Sequence, residues 1–501
     1  MASPLHYAAA EIDQISAFRL YGRVTGVLGM MVEIGGVERA LSIGDRIFLE
    51  ARGQTRISCE VVGFKDGRVQ AMPFGALEGI GIGSRAEISD AEPVIYPDNA
   101  WLGRVVNALG EPVDGKGPLV PGVRGYPFRG QPPKPHLRDR IGEKIDVGVR
   151  ALNTFLSLCQ GQRMGIFAGS GVGKSILMSM LAKFTEADVS VIGLVGERGR
   201  EVQEFIQENL GEEGLARSVV VVATSDESPL MRRQAAYLTL SISEFFRDQG
   251  KDVLCMMDSV TRFAMAQREI GLASGEPPAS KGYTPTVFAE LPKLLERAGP
   301  GVVGQGSITG LFTVLVEGDD HNEPISDAVR GILDGHIVLA RAIADRGRYP
   351  AINVLGSVSR MMPDCNTEEE NNLVQRARRL LASYEDMADM IRLGAYRQGS
   401  DPEVDAAIRY QPALEAFLSQ DKEEFAALAH CYETLAEILN DTVAGNRDVD
   451  AAAAEAMPEA MPETMPETIR ESAPEMAVNE PANPAPEEAA AGNTANTDAD
   501  L

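Results

Sequence analysis

The run Ala168-Gly-Ser-Gly-Val-Gly-Lys-Ser175 constrains this chain more than any other stretch. It follows an apolar segment of strand length, Arg163–Ala168, and leads into a helical pattern over Ile176–Phe184. That is the strand–loop–helix setting a phosphate-binding loop requires. Glycines let backbone N–H groups curl around phosphate oxygens, and the helix N-terminus adds its positive end. Gly169, Ser170, Gly171, Val172 and Gly173 are therefore expected to cradle phosphate. Lys174 is placed to reach the β- and γ-phosphates of a nucleotide, and the Ser175 hydroxyl to ligate Mg²⁺. Ala168 stands where the usual pattern begins with glycine, at a strand end where a methyl group is tolerable.

Apolar runs of strand length recur around this loop: Ser190–Val195, Ser218–Ala223, Val253–Met257, Ile308–Leu315 and Ile337–Ala340. Helical patterns separate several of them. The clearest spans Pro229–Arg247, with Ser228 as N-cap and Pro229 at the first helical position. Strand–helix alternation with nearly uninterrupted apolar strands predicts an α/β fold with a mostly parallel sheet covered on both faces. Ahead of it, Val24–Leu28, Met30–Ile34, Arg46–Leu49, Ile57–Phe64 and Arg68–Ala71 are short strand runs separated by glycine turns. They predict a small β-barrel or sandwich. A Gly/Pro-rich stretch over residues 98–140 reads as an extended connection rather than a packed element. Residues 6–19 could form a short helix, and residues 367–446 carry helix formers without strand runs.

Two carboxylates fall at strand ends. Asp258 closes the run Val253–Met257, beside the loop, where it could hold the water shell of Mg²⁺. Glu197 follows Ser190–Val195 in the charged sequence Gly196-Glu-Arg-Gly-Arg-Glu201. Ligands of open α/β sheets bind at the C-terminal ends of strands, and hydrolysis needs a carboxylate to polarise water. Glu197 lies nearest the strand end. The competing reading of this run is a solvated stretch of charge.

Charge narrows the function classes. Against 73 Asp+Glu stand 47 Lys+Arg, a net charge of −26, which argues against nucleic acid as a partner. From Asp448 onward 13 acidic residues and one arginine give −12, leaving −14 for the preceding 447 residues. This C-terminal stretch has seven prolines, no aromatic residue and the repeat AMPEAMPETMPET, so residues 447–501 are expected to be a disordered acidic tail. No run approaches the roughly 18 apolar residues of a membrane span. The N-terminus lacks the basic start and apolar stretch of a signal peptide. Five scattered cysteines, without a C-x-x-C pair, suit a reduced compartment with no zinc site.

Taken in order, the phosphate loop, GERGREV from Gly196, the run Asp248–Ala264 and NVLGSVSR from Asn353 to Arg360 resemble the catalytic heads of rotary ATP synthases. The stretches Gly275–Gly299 and Gly306–Arg341 resemble the type III secretion ATPases more specifically, and most of all the flagellar export branch, the flagellum-specific ATP synthases. The likeness covers roughly residues 20–440. It implies a β-barrel (20–95), a RecA-like nucleotide-binding domain (96–366) and a helical domain (367–446); outside it lie the tail and an N-terminal docking segment (1–19), read from Leu5, Ile12, Ile15 and Phe18, an apolar set near helical spacing that a partner could cover. It further implies a homo-hexamer with nucleotide sites between subunits. Lys174 and Ser175 match the loop lysine and hydroxyl, Glu197 the carboxylate that activates water, and Arg198 a γ-phosphate contact. Asp258 matches the magnesium-associated carboxylate, Arg360 the arginine given by a neighbouring subunit, and Tyr349 the aromatic stacked on adenine. Without the resemblance, Arg360 reads as a surface charge and Tyr349 as a packing residue.

The implied activity is ATP hydrolysis coupled to type III export of flagellar proteins. Its implied partners are a stator-like export regulator at the N-terminus, the export gate, chaperones and exported proteins, met at the cytoplasmic face of the export apparatus. The alternatives are the ATPase of a virulence secretion system, a catalytic or non-catalytic subunit of a rotary synthase, and an RNA-translocating ring. Glu197 speaks against the non-catalytic type, which carries an amide there.

Overall fold

The computed structural model describes residues 19–53, 55–89, 93–316 and 323–440. The expected docking helix and the acidic tail lie outside the described residues.

Six strands open the fold: β1 Tyr21–Leu28, β2 Met31–Gly35, β3 Arg46–Glu50, β4 Arg56–Lys65, β5 Arg68–Pro73 and β6 Arg85–Ile88. They close into a barrel in the order β1-β2-β5-β4-β3-β6. Alternate residues point inward, so Val24, Val32, Ile34, Ile47, Leu49, Val61 and Val69 form a separate small core. The closing strand β6 is absent from the sequence reading. Its four residues, Arg-Ala-Glu-Ile, bury little apolar surface, and it exists because pairing with both β1 and β3 leaves no open edge.

The Gly/Pro-rich stretch corrects one expectation. Arg104–Asn107 is a packed strand, β7, paired parallel with β10 (Ser218–Thr224) at the edge of the main sheet. Two valines between an arginine and an asparagine give no periodic signal. The sheet edge supplies the partner, and Asp114 binds the Arg104 guanidinium through both oxygens at 2.7 and 3.0 Å. The remainder is mostly loop, broken by a 3-10 turn at Asn99–Trp101 and by Tyr126–Pro127, which pairs antiparallel with Val94–Ile95. Arg138 anchors it by donating to the carbonyls of Glu296, Ala298 and Pro300.

The other main-sheet strands are β8 Arg163–Ala168, β9 Val189–Glu197, β11 Val253–Asp258, β12 Ser307–Leu315, β13 Gly335–Leu339 and β14 Ile352–Ser359. Their order is β14-β13-β8-β12-β11-β9-β10-β7. All these neighbours pair in parallel except β13 with β14. Successive residues feed opposite faces: Ile166 and Ala168 join one core, Phe167 the other. Helices α1 (Arg150–Phe155) and α2 (Lys174–Phe184) pack Leu152, Leu177 and Leu181 into the first, and α3 (Pro229–Asp248) and α4 (Val260–Ala273) pack Leu230, Leu238, Ile242 and Phe263 into the second. The Ser228 hydroxyl accepts from the Met231 N–H and caps α3, a contact worth about 1 kcal/mol.

Helices α5 (Glu368–Arg392), α6 (Pro402–Leu418) and α7 (Leu428–Asn440) complete the fold. Thr367 and Glu370 form a reciprocal capping box that starts α5. Arg150 binds this helical region to the sheet region by donating to the carbonyls of Phe417 and Ser419.

Candidate active site

The parallel strands bring their C-terminal ends to one edge. Ala168 pairs with Leu315 on one side and Leu339 on the other, and Asp258 lies opposite Leu194. The loop after β8 therefore opens between the ends of β12 and β13, and Lys174 reaches past β12 to the carboxylates that end β11 and β9. Ala168 is fully buried, its methyl group part of the core, so the missing glycine costs the loop nothing visible. Gly173 has φ +90°, which a side chain would strain, and a Cβ there would sit 3.3 Å from the Tyr349 ring. Gly196, at φ +73°, turns β9 just before Glu197, where a Cβ would lie 2.8 Å from Arg262.

A cavity of about 680 Å³ lies over this edge. Gly169, Ser170, Gly171, Gly173, Lys174, Ser175, Glu197, Arg198 and Tyr349 line it. Val172 faces the other way, into the core. Asp258 is buried beneath the lining, where it binds the Lys174 ammonium. The Glu197 carboxylate lies 3.4 Å from the same ammonium. Arg198 is exposed and donates to Glu201 at 3.0 Å.

One buried cation thus faces two carboxylates. Burial works against the Lys174 charge, but Asp258 and Glu197 together hold its pKa above the ordinary lysine value. Glu197 is pushed up to about 7, first by burial and then by the Asp258 charge, with Lys174 opposing. It shares a hydrogen bond with Glu201, which is held below the usual carboxylate range by that bond and by Arg198. A carboxylate near neutrality can both accept and return a proton at working pH.

Arg360 stands apart. It follows β14, which runs antiparallel to β13, with Ser359 opposite Gly335. Gly335 begins β13 and Leu339 ends it, and only Leu339 adjoins the phosphate loop. Arg360 therefore sits at the sheet edge opposite the cavity, exposed, with its guanidinium on the Arg330 carbonyl at 3.2 Å.

Two residues at the site went unread in the sequence. The Thr313 hydroxyl donates to Asp258 at 2.7 Å, and Arg341 donates to the Ser170 carbonyl at 2.9 Å and lines the cavity. Thr313 could have been found as the polar residue nearest the C-terminal end of a strand rich in apolar residues. Arg341 carried no signal beyond its place after β13.

Ser175 on the cavity wall and Asp258 beneath it offer oxygen donors on the side of the cavity where phosphates would meet Lys174, a donor set that fits Mg²⁺.

Residues 148–359 match the nucleotide-binding domain of the ATP synthase alpha/beta family, and residues 366–437 match the T3SS EscN ATPase C-terminal domain. The flagellum-specific ATP synthase of Caulobacter vibrioides is 59% identical over 435 residues, covering 86% of this chain and 98% of the relative. The type 3 secretion system ATPase of Xanthomonas euvesicatoria is 47% identical over 433 residues, covering 86% and 97%. The assembled ATPase EscN of the enteropathogenic E. coli type III secretion system superposes with a TM-score of 0.78 at 39% identity, covering 83% of this chain and all of that one. The chain belongs to the ATP synthase alpha/beta family, in the branch of the flagellum-specific ATP synthases and type III secretion ATPases, and is an ATP-hydrolysing enzyme.

Proposed function

We propose that the chain couples ATP hydrolysis to type III export of flagellar proteins, working as a homo-hexamer at the cytoplasmic face of the export apparatus. The 59% identity to a flagellum-specific ATP synthase, against 47% to a type 3 secretion system ATPase, favours the flagellar reading. No helix among the described residues is long and apolar enough to cross a membrane, which suits peripheral attachment through the apparatus. The N-terminal segment would meet a stator-like regulator, and the ring would receive chaperones and exported proteins before the export gate.

The observation that carries the catalytic assignment is the Glu197–Lys174–Asp258 cluster at the cavity. Backbone N–H groups of Gly169–Gly173 would hold the phosphates of ATP while Lys174 turns from its carboxylates to the β- and γ-oxygens. Tyr349, exposed against Gly173, offers a ring face to adenine. Ser175 and Asp258 would hold Mg²⁺, whose charge offsets that of the phosphates. Glu197 takes the proton of the attacking water, and Arg198 contacts the γ-phosphate. Arg360 is supplied by the neighbouring subunit.

Glu197→Gln tests this. The amide keeps the shape but cannot take a proton, so ATP should bind with near-parental affinity while turnover falls by about 10² or more. In the parent, turnover should rise with pH through about 7 as the Glu197 carboxylate forms, and the variant should lack that limb. Normal turnover in Glu197→Gln beside a dead Glu201→Gln would move the role to Glu201. In cells, Glu197→Gln should abolish secretion of flagellar proteins; undiminished secretion would refute the coupling.

A further inference from the structure

Strand alternation sets one hydroxyl against the carboxylate that ends β11. Met256 of β11 and Leu311 of β12 belong to the core that α2 covers, so Asp258 and Thr313, each two residues further on, face the same side. The two strands are parallel neighbours with Met257 opposite Phe312, which brings Thr313 beside Asp258. Thr313 is fully buried, and its hydroxyl donates to Asp258 Oδ1 at 2.7 Å. The Lys174 ammonium binds the same oxygen. Asp258 Oδ2 makes no hydrogen bond among the described residues. Two donors thus hold one oxygen of the carboxylate and leave the other unused.

The two donors differ in what ATP does to them. Lys174 lines the cavity and is drawn to the phosphates. Thr313 stays, because its strand is paired on both sides, with Ile166 of β8 directly opposite it. A carboxylate turns about a soft terminal torsion, so an oxygen that loses its donor is free to swing. We propose that Thr313 is a positioning residue for the metal: its hydroxyl keeps Asp258 Oδ1 in place when Lys174 leaves, and so reserves Oδ2 for Mg²⁺ or a water on it. The proposal rests on the reading of Asp258 as a Mg²⁺-holding carboxylate. Thr313 touches neither nucleotide nor metal in this role. It supplies orientation, and the hydrogen bond that a buried carboxylate oxygen would otherwise lack.

The test is an equilibrium measurement on the full chain, with no turnover involved. A fluorescent, non-hydrolysable ATP analogue is titrated once with Mg²⁺ present and once with EDTA, and the ratio of the two affinities reads the metal's share of binding. Thr313→Val keeps the volume and removes the hydroxyl. It should bind the metal-free analogue as the parent does, while the ratio falls by about 10–100-fold, the usual worth of a group that orients a metal-holding side chain. Thr313→Ser keeps the hydroxyl and should restore the ratio. An unchanged ratio in Thr313→Val, or no restoration in Thr313→Ser, overturns the proposal. Metal-free and metal-bound affinities that fall together would make Thr313 a packing residue and overturn it too. If Thr313→Val fails to fold, as judged by circular dichroism, Thr313→Ala removes the same hydroxyl without crowding and is read in the same way. Asp258→Asn separates the two possible failures. A parental ratio there would remove the Asp258 reading and the proposal with it, whereas a lost ratio there beside a parental one in Thr313→Val would remove the positioning role alone.

Discussion

Alanine at position 174 is expected to bring ATP turnover below detection while the circular dichroism spectrum stays that of the parent. The lysine sits outside the apolar strands, at the first residue of α2, and its ammonium is the only cation bonded to Asp258 and Glu197 among the described residues. Two charge-assisted contacts to phosphate are worth about 3–6 kcal/mol together, which is about 10²–10⁴ in rate if they tighten in the transition state. The fold has a way to absorb the loss. Asp258 keeps the Thr313 hydroxyl, and Glu197, already raised, climbs further and stays protonated once the lysine no longer opposes its neighbour. The same climb deprives the site of its base, so the variant loses phosphate grip and proton acceptor together. Phosphate release measured beside circular dichroism checks both halves. Substantial turnover would remove the phosphate-loop assignment, and a collapsed spectrum would make the cluster a structural one.

The second large effect concerns two chains. Arg360 and the cavity lie at opposite edges of the same sheet, so the arginine of one chain cannot serve that chain's own nucleotide. Arg360→Ala should therefore lose about 10³–10⁵ in turnover, the usual worth of such an arginine, with ATP affinity in the isolated chain unchanged. Mixing Arg360→Ala with Lys174→Ala and letting rings reassemble should return part of the activity. Some interfaces then combine an intact Lys174 from one chain with an intact Arg360 from the next. The recovered rate should pass through a maximum with mixing ratio. Parental activity in pure Arg360→Ala would end the arginine's role. Dead mixtures in which cross-linking demonstrates exchange would leave a ring that cannot run with any dead site, and a single-turnover burst from the mixed rings would identify that case.

The pieces of the fold legible from residues alone are those with a dense local signal. The strands β8 to β13 are apolar almost throughout because helices cover both faces, and helix α3 announces itself with Ser228 and Pro229. The pieces missed owe their existence to partners. Strand β6 has a short polar sequence and forms because two neighbours need closing; Arg104–Asn107 becomes a strand because β10 offers a free edge; β14 hides in a run known otherwise only for its resemblance.

The same division holds at the site. The phosphate loop, Asp258 and Glu197 are set by the sequence itself, since glycine torsions, a helix start and a carboxylate at a strand end are local requirements that residue order alone satisfies. Tertiary structure decided the rest. It buried Glu197 beside Asp258, distant in the chain, on one ammonium, and burial and then the Asp258 charge raise the Glu197 carboxyl to about 7 against the opposing lysine. It set Thr313 on Asp258, brought Arg341 to the loop and carried Arg360 to the far edge of the sheet. Electrostatic coupling and burial depend on distances through space, and those come from strand order, which no local stretch of residues encodes.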